Sequence, residues 1–123
     1  RYGSKATGQL FGIYTNAGSP TSISFGGWGA DVGFGFSAAL KSWSFAAVTY
    51  DGSLIRTYLN GKVGATGSPT LNTGTGTIFY CSDGPTGDWN GFIGEVSLYN
   101  RVLTAHEIQN LYDSTKGRYG GGA

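Results

Sequence analysis

Short apolar runs separated by turn residues recur at intervals of about ten through the first hundred residues of this chain. This spacing predicts an all-β sandwich or barrel, because alternating strands and helices would need much longer periodic segments. The 23 glycines follow no fixed period, so they indicate turns and bulges rather than a collagen-like repeat. A chain of 123 residues has room for one domain.

The runs rich in β-branched and aromatic residues predict eight strands. Two dipeptides between successive runs, Asp51-Gly52 and Asn60-Gly61, accept the positive φ angles of tight hairpin turns and therefore predict a meander. The last run places Phe92, Val96 and Leu98 on one face, which we expect to lie in the core. The predicted strands are Gln9–Tyr14, Thr21–Phe25, Val32–Phe36, Trp43–Tyr50, Leu54–Asn60, Lys62–Thr66, Thr77–Ser82 and Phe92–Tyr99.

One helix is predicted near the C-terminal end, because Thr104-Ala-His-Glu107 has the form of a capping box. Apolar residues then recur on one helical face, which we expect to pack on the sandwich: Leu103, Ile108, Leu111 and Tyr112. Residues 116–123 contain too much glycine to order themselves and are predicted to be a tail or linker after a domain of residues 1–115. The predicted fold class is an antiparallel two-sheet β-sandwich with one short C-terminal helix.

Composition argues against two classes of partner. The formal net charge is +1, from eight Lys and Arg against seven Asp and Glu, so there is no basic stripe for nucleic acid. The longest apolar stretch, around residues 45–48, is far too short for membrane insertion. Cys81 is the only cysteine, which excludes an internal disulfide, and its place in a strand predicts a small buried side chain.

The sequence also lacks a recognisable catalytic constellation. Glycoside hydrolysis needs two carboxylates that face each other across the scissile bond. The only glutamates are Glu95, alone on its predicted strand, and Glu107, which we expect to cap the helix. His106 has no Ser or Cys in a recognisable nucleophile setting. We therefore expect a protein that is not an enzyme.

Loop aromatics favour a binding role. Two tryptophans stand among glycines in predicted loops, where a flat ring can stack on a sugar while nearby Asp and Asn side chains hydrogen-bond its hydroxyls. The alternative is that these rings cover the ends of the sandwich. The candidate ligand-binding residues are Trp28, Asp31, Asp83, Asp88, Trp89 and Asn90.

Three blocks in the second half of the chain resemble a known family. WSFAAVTYDG over residues 43–52 is similar to a "W-x-x-V-A-V-T-Y-D-G" strand and turn, and TYLNGK over residues 57–62 to an "L-Y-V-N-G" hairpin. NGFIGEVSLYNRVLTAHEI over residues 90–108 is similar to a closing "F-x-G-x-I-D-E-V-R-I-Y-N-R-A-L-S-A-x-E-I". In this order, the blocks resemble the laminin-G-like jelly roll of the concanavalin-A-like lectin and glucanase superfamily.

The resemblance implies a non-catalytic extracellular or surface-associated module that binds a glycan or a surface protein. Modules of this kind often hold calcium through carboxylates and backbone carbonyls, and calcium needs six to eight oxygen ligands. The loop SDGPTGDWN supplies Asp83, Asp88 and Asn90 as candidate calcium ligands. Asp-Gly and Gly-Asp are also ordinary turn pairs, so both interpretations stay open, and no other cofactor is expected.

The first strands of the family are missing from the chain, since nothing similar to them precedes Gln9. Three explanations are open: a fragment of a larger protein, a trimmed variant of the fold, or a sheet completed by a strand from another chain. The last explanation predicts self-assembly or strand exchange. It would make the protein a structural subunit or decoration of a virion, tail fibre, pilus or surface layer.

Overall fold

The computed structural model describes residues 2–16, 19–73 and 91–120. Strands β1 to β7 are followed by helix α1, Ala105–Thr115, and by a 3-10 helix, Lys116–Tyr119. The strands, in chain order, are Tyr2–Gly3, Leu10–Asn16, Ser19–Gly26, Val32–Ser37, Ala46–Tyr50, Ile55–Leu59 and Lys62–Gly67.

The strands form two antiparallel sheets. One has the order β1-β2-β3-β4 and the other the order β5-β6-β7, so every pairing joins neighbours along the chain. The two sheets enclose a common core, which confirms the predicted antiparallel two-sheet β-sandwich with a short C-terminal helix. Six predicted strands correspond to β2 to β7, although β5 begins at Ala46 rather than at Trp43.

The alternation of side chains along β6 divides the core into two clusters. Ile55 and Leu59 point into the sandwich and pack against Phe25 and Phe34 of the other sheet, with Ile55, Phe25 and Phe34 completely buried. Tyr58 points the opposite way and packs under α1. The members of this second cluster are Tyr58, Leu103 and Ile108, with Phe45, Ala47 and Leu111 against them.

The predicted Asn60-Gly61 turn joins β6 to β7. Asn60 and Gly61 have φ angles of 50° and 79°, the two positive values that a tight hairpin turn of this sequence requires. The Asn60 side-chain Oδ1 accepts a hydrogen bond from the Phe45 N–H at 2.9 Å, and the Asn60 N–H donates to the Phe45 carbonyl at 2.8 Å. The turn therefore also ties β6 to the residue that precedes β5.

A capping box begins α1, as predicted. Thr104 Oγ1 accepts from the Glu107 N–H at 3.1 Å, and the Thr104 N–H donates to Glu107 Oε2 at 2.8 Å. Arg101 adds a bidentate ion pair to the same carboxylate at 2.9 and 3.0 Å. Hydrogen bonds from Arg101 and Thr104 lower the pKa of Glu107 from 4.5 to about 2.

The prediction of a strand over Phe92–Tyr99 is wrong. Residues 91–100 contain no helix or strand, and within the described ranges no hydrogen bond joins their backbone to another strand. Side chains assigned to the core are exposed instead, Phe92 by 87% and Leu98 by 75%. The segment has the alternation of apolar residues typical of a strand, but none of the described strands pairs with it.

Within the predicted tail or linker over residues 116–123, the first residues are helical. Lys116–Tyr119 form the 3-10 helix, and the Tyr119 ring packs on Trp43 with centroids 4.6 Å apart. Gly120 ends this helix in the left-handed conformation with φ 83°. The predicted strand Thr77–Ser82, with Cys81, lies outside the described residues.

Substitution of Gly64 by alanine tests the contact between the two sheets. A Cβ at Gly64 on β7 would press against the backbone carbonyl of Phe34 and lie 2.8 Å from Thr57 Oγ1. We expect Gly64→Ala to lower the free energy of unfolding by about 2 kcal/mol. The matched control is Gly117→Ala, where a Cβ meets nothing within 4 Å, and its effect should stay below about 1 kcal/mol. Urea unfolding measures both, and equal stabilities would contradict the sheet packing.

The Glu107 carboxylate makes the stability of the fold depend on pH. Because the pKa of Glu107 is lowered from 4.5 to about 2 on folding, its stabilising contribution is complete above about pH 4.5 and is lost as the pH falls toward 2. We expect the wild type to have a higher urea midpoint than Glu107→Gln at pH 7, with the two midpoints converging near pH 2. Parallel curves across this range would show that the ion pair does not stabilise the fold.

Candidate functional site

Three connecting segments meet at one end of the sandwich, and we call them the rim: residues 4–9, residues 27–31 and residues 70–72. Gly8 joins all three. Its N–H donates to the Gly27 carbonyl at 2.8 Å, and its own carbonyl accepts from the Asn72 N–H at 2.8 Å. These hydrogen bonds hold the connection between β3 and β4 against the segment between β1 and β2.

Trp28 lies in the middle of the rim, and its backbone has an energetically unfavourable conformation. Its φ angle is 58°, in the left-handed region that bulky side chains rarely adopt, and 47% of the residue is exposed. Backbone strain of this kind costs on the order of 1 to 3 kcal/mol and persists where the surrounding structure holds it. The structure thus presents a large aromatic ring to solvent at the expense of local backbone energy.

Asp31 anchors the loop that carries Trp28. Its Oδ1 accepts the Gly27 N–H at 2.8 Å and its Oδ2 accepts the Tyr14 hydroxyl at 3.2 Å. The pKa of Tyr14 is raised, first by burial and then by the negative charge of Asp31. Each carboxylate oxygen of Asp31 therefore has a protein partner, and the structure assigns this residue a positioning role in the rim.

Lys5 completes the described surface around Trp28. Its Nζ lies 5.8 Å from the centroid of the Trp28 ring, within the range of a cation–π interaction. The sequence prediction included Trp28 and Asp31 but missed Lys5 and Tyr14. No pattern in the linear sequence shows that residues 4–9 and β2 meet the loop after β3, so only the fold brings these side chains together.

The remaining predicted site residues lie outside the described residues. These are Asp83, Asp88, Trp89 and Asn90, and the structure neither joins them to Trp28 nor separates them from it. Their roles in ligand binding and in calcium binding remain predictions. Across residues 2–16, 19–73 and 91–120, no three His, Cys, Asp or Glu side chains form a group that could hold a metal ion.

The two glutamates are engaged in ion pairs with arginines. Glu95 pairs with Arg118, and Glu107 pairs with Arg101 at 2.9 Å while it caps α1. His106 is exposed on α1. These groups serve the docking of α1 and of the 3-10 helix, and nothing in their contacts resembles a nucleophile with its base.

A groove of about 380 Å³ runs beside α1. The Arg101–Glu107 ion pair lies within it, so its charged groups are already paired with each other. Its lining residues are Tyr99, Arg101, Leu103, Glu107, Asn110, Leu111 and Ser114. The groove is open to solvent. None of the described helices combines the length and apolar character needed to cross a membrane.

Removal of the Asp31 charge should change the titration of Tyr14 without breaking the loop. In Asp31→Asn, the side-chain carbonyl can still accept from Gly27, but the neighbouring negative charge is gone. We expect the pKa of Tyr14 to fall toward its ordinary value of 10.0 while part of the shift from burial remains. Proton NMR of the Tyr14 ring measures this. Asp51→Asn, on the β5–β6 loop, is the charge-matched control and should leave the Tyr14 pKa unchanged.

The sequence and the fold of the chain are similar to those of known proteins. The sequence model of the concanavalin A-like lectin/glucanases superfamily, of laminin-G type, matches residues 2–109. No curated protein sequence matches the chain. A crystal structure of an S-layer domain-containing protein from Clostridium thermocellum is similar, with a TM-score of 0.51 and 21% identity over 90% of this chain. The chain spans 59% of that structure.

Proposed function

The chain belongs to the concanavalin A-like lectin/glucanases superfamily, and from this premise we propose that it is a non-catalytic extracellular module that binds a glycan at the rim. The observation that carries the proposal is the exposed ring of Trp28, held in a left-handed backbone conformation. Trp89, with Asp83, Asp88 and Asn90, belongs to the proposed ligand-binding set. A surface protein is the other ligand class that such a rim could bind.

The chemistry of the rim suits a sugar. A tryptophan face stacks on the apolar face of a pyranose, and hydroxyls at the ring edge need hydrogen-bond donors and acceptors nearby. Lys5 supplies a cationic donor beside the Trp28 ring. Asp31 keeps the loop in place through Gly27 and Tyr14, so little conformational freedom would be lost on binding.

A non-catalytic role is supported by the state of the carboxylates. Hydrolysis would need two Asp or Glu carboxylates across the bound sugar, whereas Glu95 and Glu107 are each paired with an arginine and Asp31 is hydrogen-bonded to Gly27 and Tyr14. An extracellular or surface location is supported by the laminin-G-type family match and by the S-layer protein among similar structures.

Truncation of the exposed ring tests the proposed site. We expect Trp28→Ala to weaken glycan binding at least tenfold, because the stacking surface is lost. Phe36→Ala is the matched control, since Phe36 on β4 is an aromatic residue with a similar exposure of 41% outside the rim. A glycan array followed by calorimetry on the bound sugars measures the effect. Equal affinities for the two variants would exclude Trp28 as the platform.

Calcium binding by Asp83, Asp88 and Asn90 is a separate proposal that rests on the oxygen-rich sequence of their loop. Binding to the folded state alone would raise the melting temperature in proportion to the logarithm of the calcium concentration. We expect a rise in calcium that Asp88→Asn reduces. Identical melting in excess calcium and in chelator would eliminate the proposal.

A second candidate function is that of a structural subunit in an extracellular assembly. The exposed apolar side chains of residues 92–99 favour it, because soluble monomers rarely expose a large apolar patch: Phe92, Ile93, Val96, Leu98 and Tyr99. The similar structure from Clostridium thermocellum is that of an S-layer domain-containing protein, which supports the same class. This candidate does not compete with the rim for residues, so both functions can coexist in one chain.

A further inference from the structure

Tyr14 is a second exposed aromatic residue beside the rim. It lies on β2 directly opposite Ser24 of β3, and 37% of the residue is exposed. The next pair along these strands is Ile13 with Phe25, and Phe25 lies in the core between the sheets. Because successive side chains of a strand point to opposite faces, Tyr14 lies on the outer face of the four-stranded sheet.

One carboxylate holds both Tyr14 and the loop that carries Trp28. Asp31 Oδ2 accepts from the Tyr14 hydroxyl at 3.2 Å, and Asp31 Oδ1 accepts from the Gly27 N–H at 2.8 Å. Gly27 directly precedes Trp28 in the chain. Asp31 therefore fixes the Tyr14 hydroxyl relative to the backbone from which the Trp28 ring projects.

The Tyr14 ring is also held along one edge. A Cβ added at Gly26 would lie 2.8 Å from both Cδ1 and Cε1 of Tyr14, so glycine is needed here to leave room for the ring. Gly26 is paired with Gly12 across the two strands, and the Ser24 side chain hydrogen-bonds the Tyr14 hydroxyl. A ring fixed at its edge and at its hydroxyl loses little freedom when a ligand stacks on it.

Tyr14 and Trp28 form two separate aromatic surfaces. No ring contact joins these two residues among the ring pairs of the described part of the chain. Only two peptide units separate Gly26, which touches Tyr14, from Trp28, so the Cα atoms of Gly26 and Trp28 are at most about 7.6 Å apart. The two rings are therefore neighbours at one end of the sandwich that do not stack on each other.

A polar group lies beside the second ring as well. Asp31 is exposed, and its Oδ2 forms a single long hydrogen bond to Tyr14. A carboxylate oxygen has two lone pairs, so Oδ2 can accept a further hydrogen bond from a sugar hydroxyl. An aromatic face with an acceptor at its edge is the same combination that suits a pyranose at Trp28.

We propose that Tyr14 is a second sugar-binding platform, so that two sugar units of one oligosaccharide chain bind here, one on Trp28 and one on Tyr14. This inference rests on the proposed glycan binding at the rim and names the ligand class as an oligosaccharide rather than a monosaccharide. Once one unit is bound, the other binds within the same molecule, so the second contact adds affinity at a high effective concentration.

The dependence of affinity on chain length tests the inference. The probes are the cello-, xylo-, malto- and chito-oligosaccharide series, from the monosaccharide to the hexasaccharide, measured by calorimetry. We expect the wild type to bind the tetrasaccharide of at least one series at least tenfold more tightly than its monosaccharide, and Tyr14→Ala to lose most of this gain. Tyr99→Ala is the matched control, because Tyr99 lies outside the rim with 47% exposure, and it should retain the full gain.

NMR of the wild type gives a second measurement that needs no folded variant. With the tetrasaccharide that binds, we expect the ring protons of Tyr14 to shift together with the Trp28 indole N–H. The ring protons of Tyr99 should not move. A shift of the Trp28 indole with an unmoved Tyr14 ring overturns the inference.

The outcomes separate this inference from glycan binding at the rim. Binding that depends on Trp28 but is equal in the wild type and Tyr14→Ala at every chain length overturns the second platform and leaves the proposed function standing. A loss in Tyr14→Ala that is equal for the monosaccharide and the tetrasaccharide shows that Tyr14 only supports the Trp28 loop, and it also overturns the inference. No binding of any series at about millimolar concentration overturns both.

Discussion

The structure depends on the burial of β6 on both of its faces. Ile55 and Leu59 fill the space between the sheets, while Tyr58 lies under α1. A strand with two apolar faces is stable only if a layer covers each face. The four-stranded sheet provides one layer and α1 the other. The burial of β6 therefore depends both on the capping box that begins α1 and on the Asn60-Gly61 turn that fixes the hairpin.

Features with local physical causes were predictable from the sequence. The Asn60-Gly61 turn, the capping box of Thr104 and Glu107, and β2 to β7 all follow from residues close together in the chain. The lack of a strand over Phe92–Tyr99 was not predictable, because alternation shows that a segment could pair and not whether a partner strand lies beside it. The docking of Tyr119 on Trp43 joins residues 76 positions apart and has no local signal.

The candidate site also combines features that were predictable from the sequence with features that were not. Trp28 was predictable as a loop residue because glycines surround it, but the sequence left open whether its ring covers the end of the sandwich, and the structure exposes 47% of the residue. The contacts of its loop were not predictable, since Lys5 reaches the Trp28 ring and Tyr14 reaches Asp31 only through the fold. Asp31 was identified as a ligand contact, yet its hydrogen bonds to Gly27 and Tyr14 make it first a support for the loop.

The central claim is that the rim around Trp28 is the ligand-binding surface of this laminin-G-like module. Its most direct test is two-dimensional NMR of the labelled chain during titration with a glycan that it retains on an array. We expect concentration-dependent shifts of the Trp28 indole N–H and of amides in residues 4–9 and 27–31. Shifts confined to the face of the sheet or to residues 92–99, with the Trp28 indole unmoved, would contradict it.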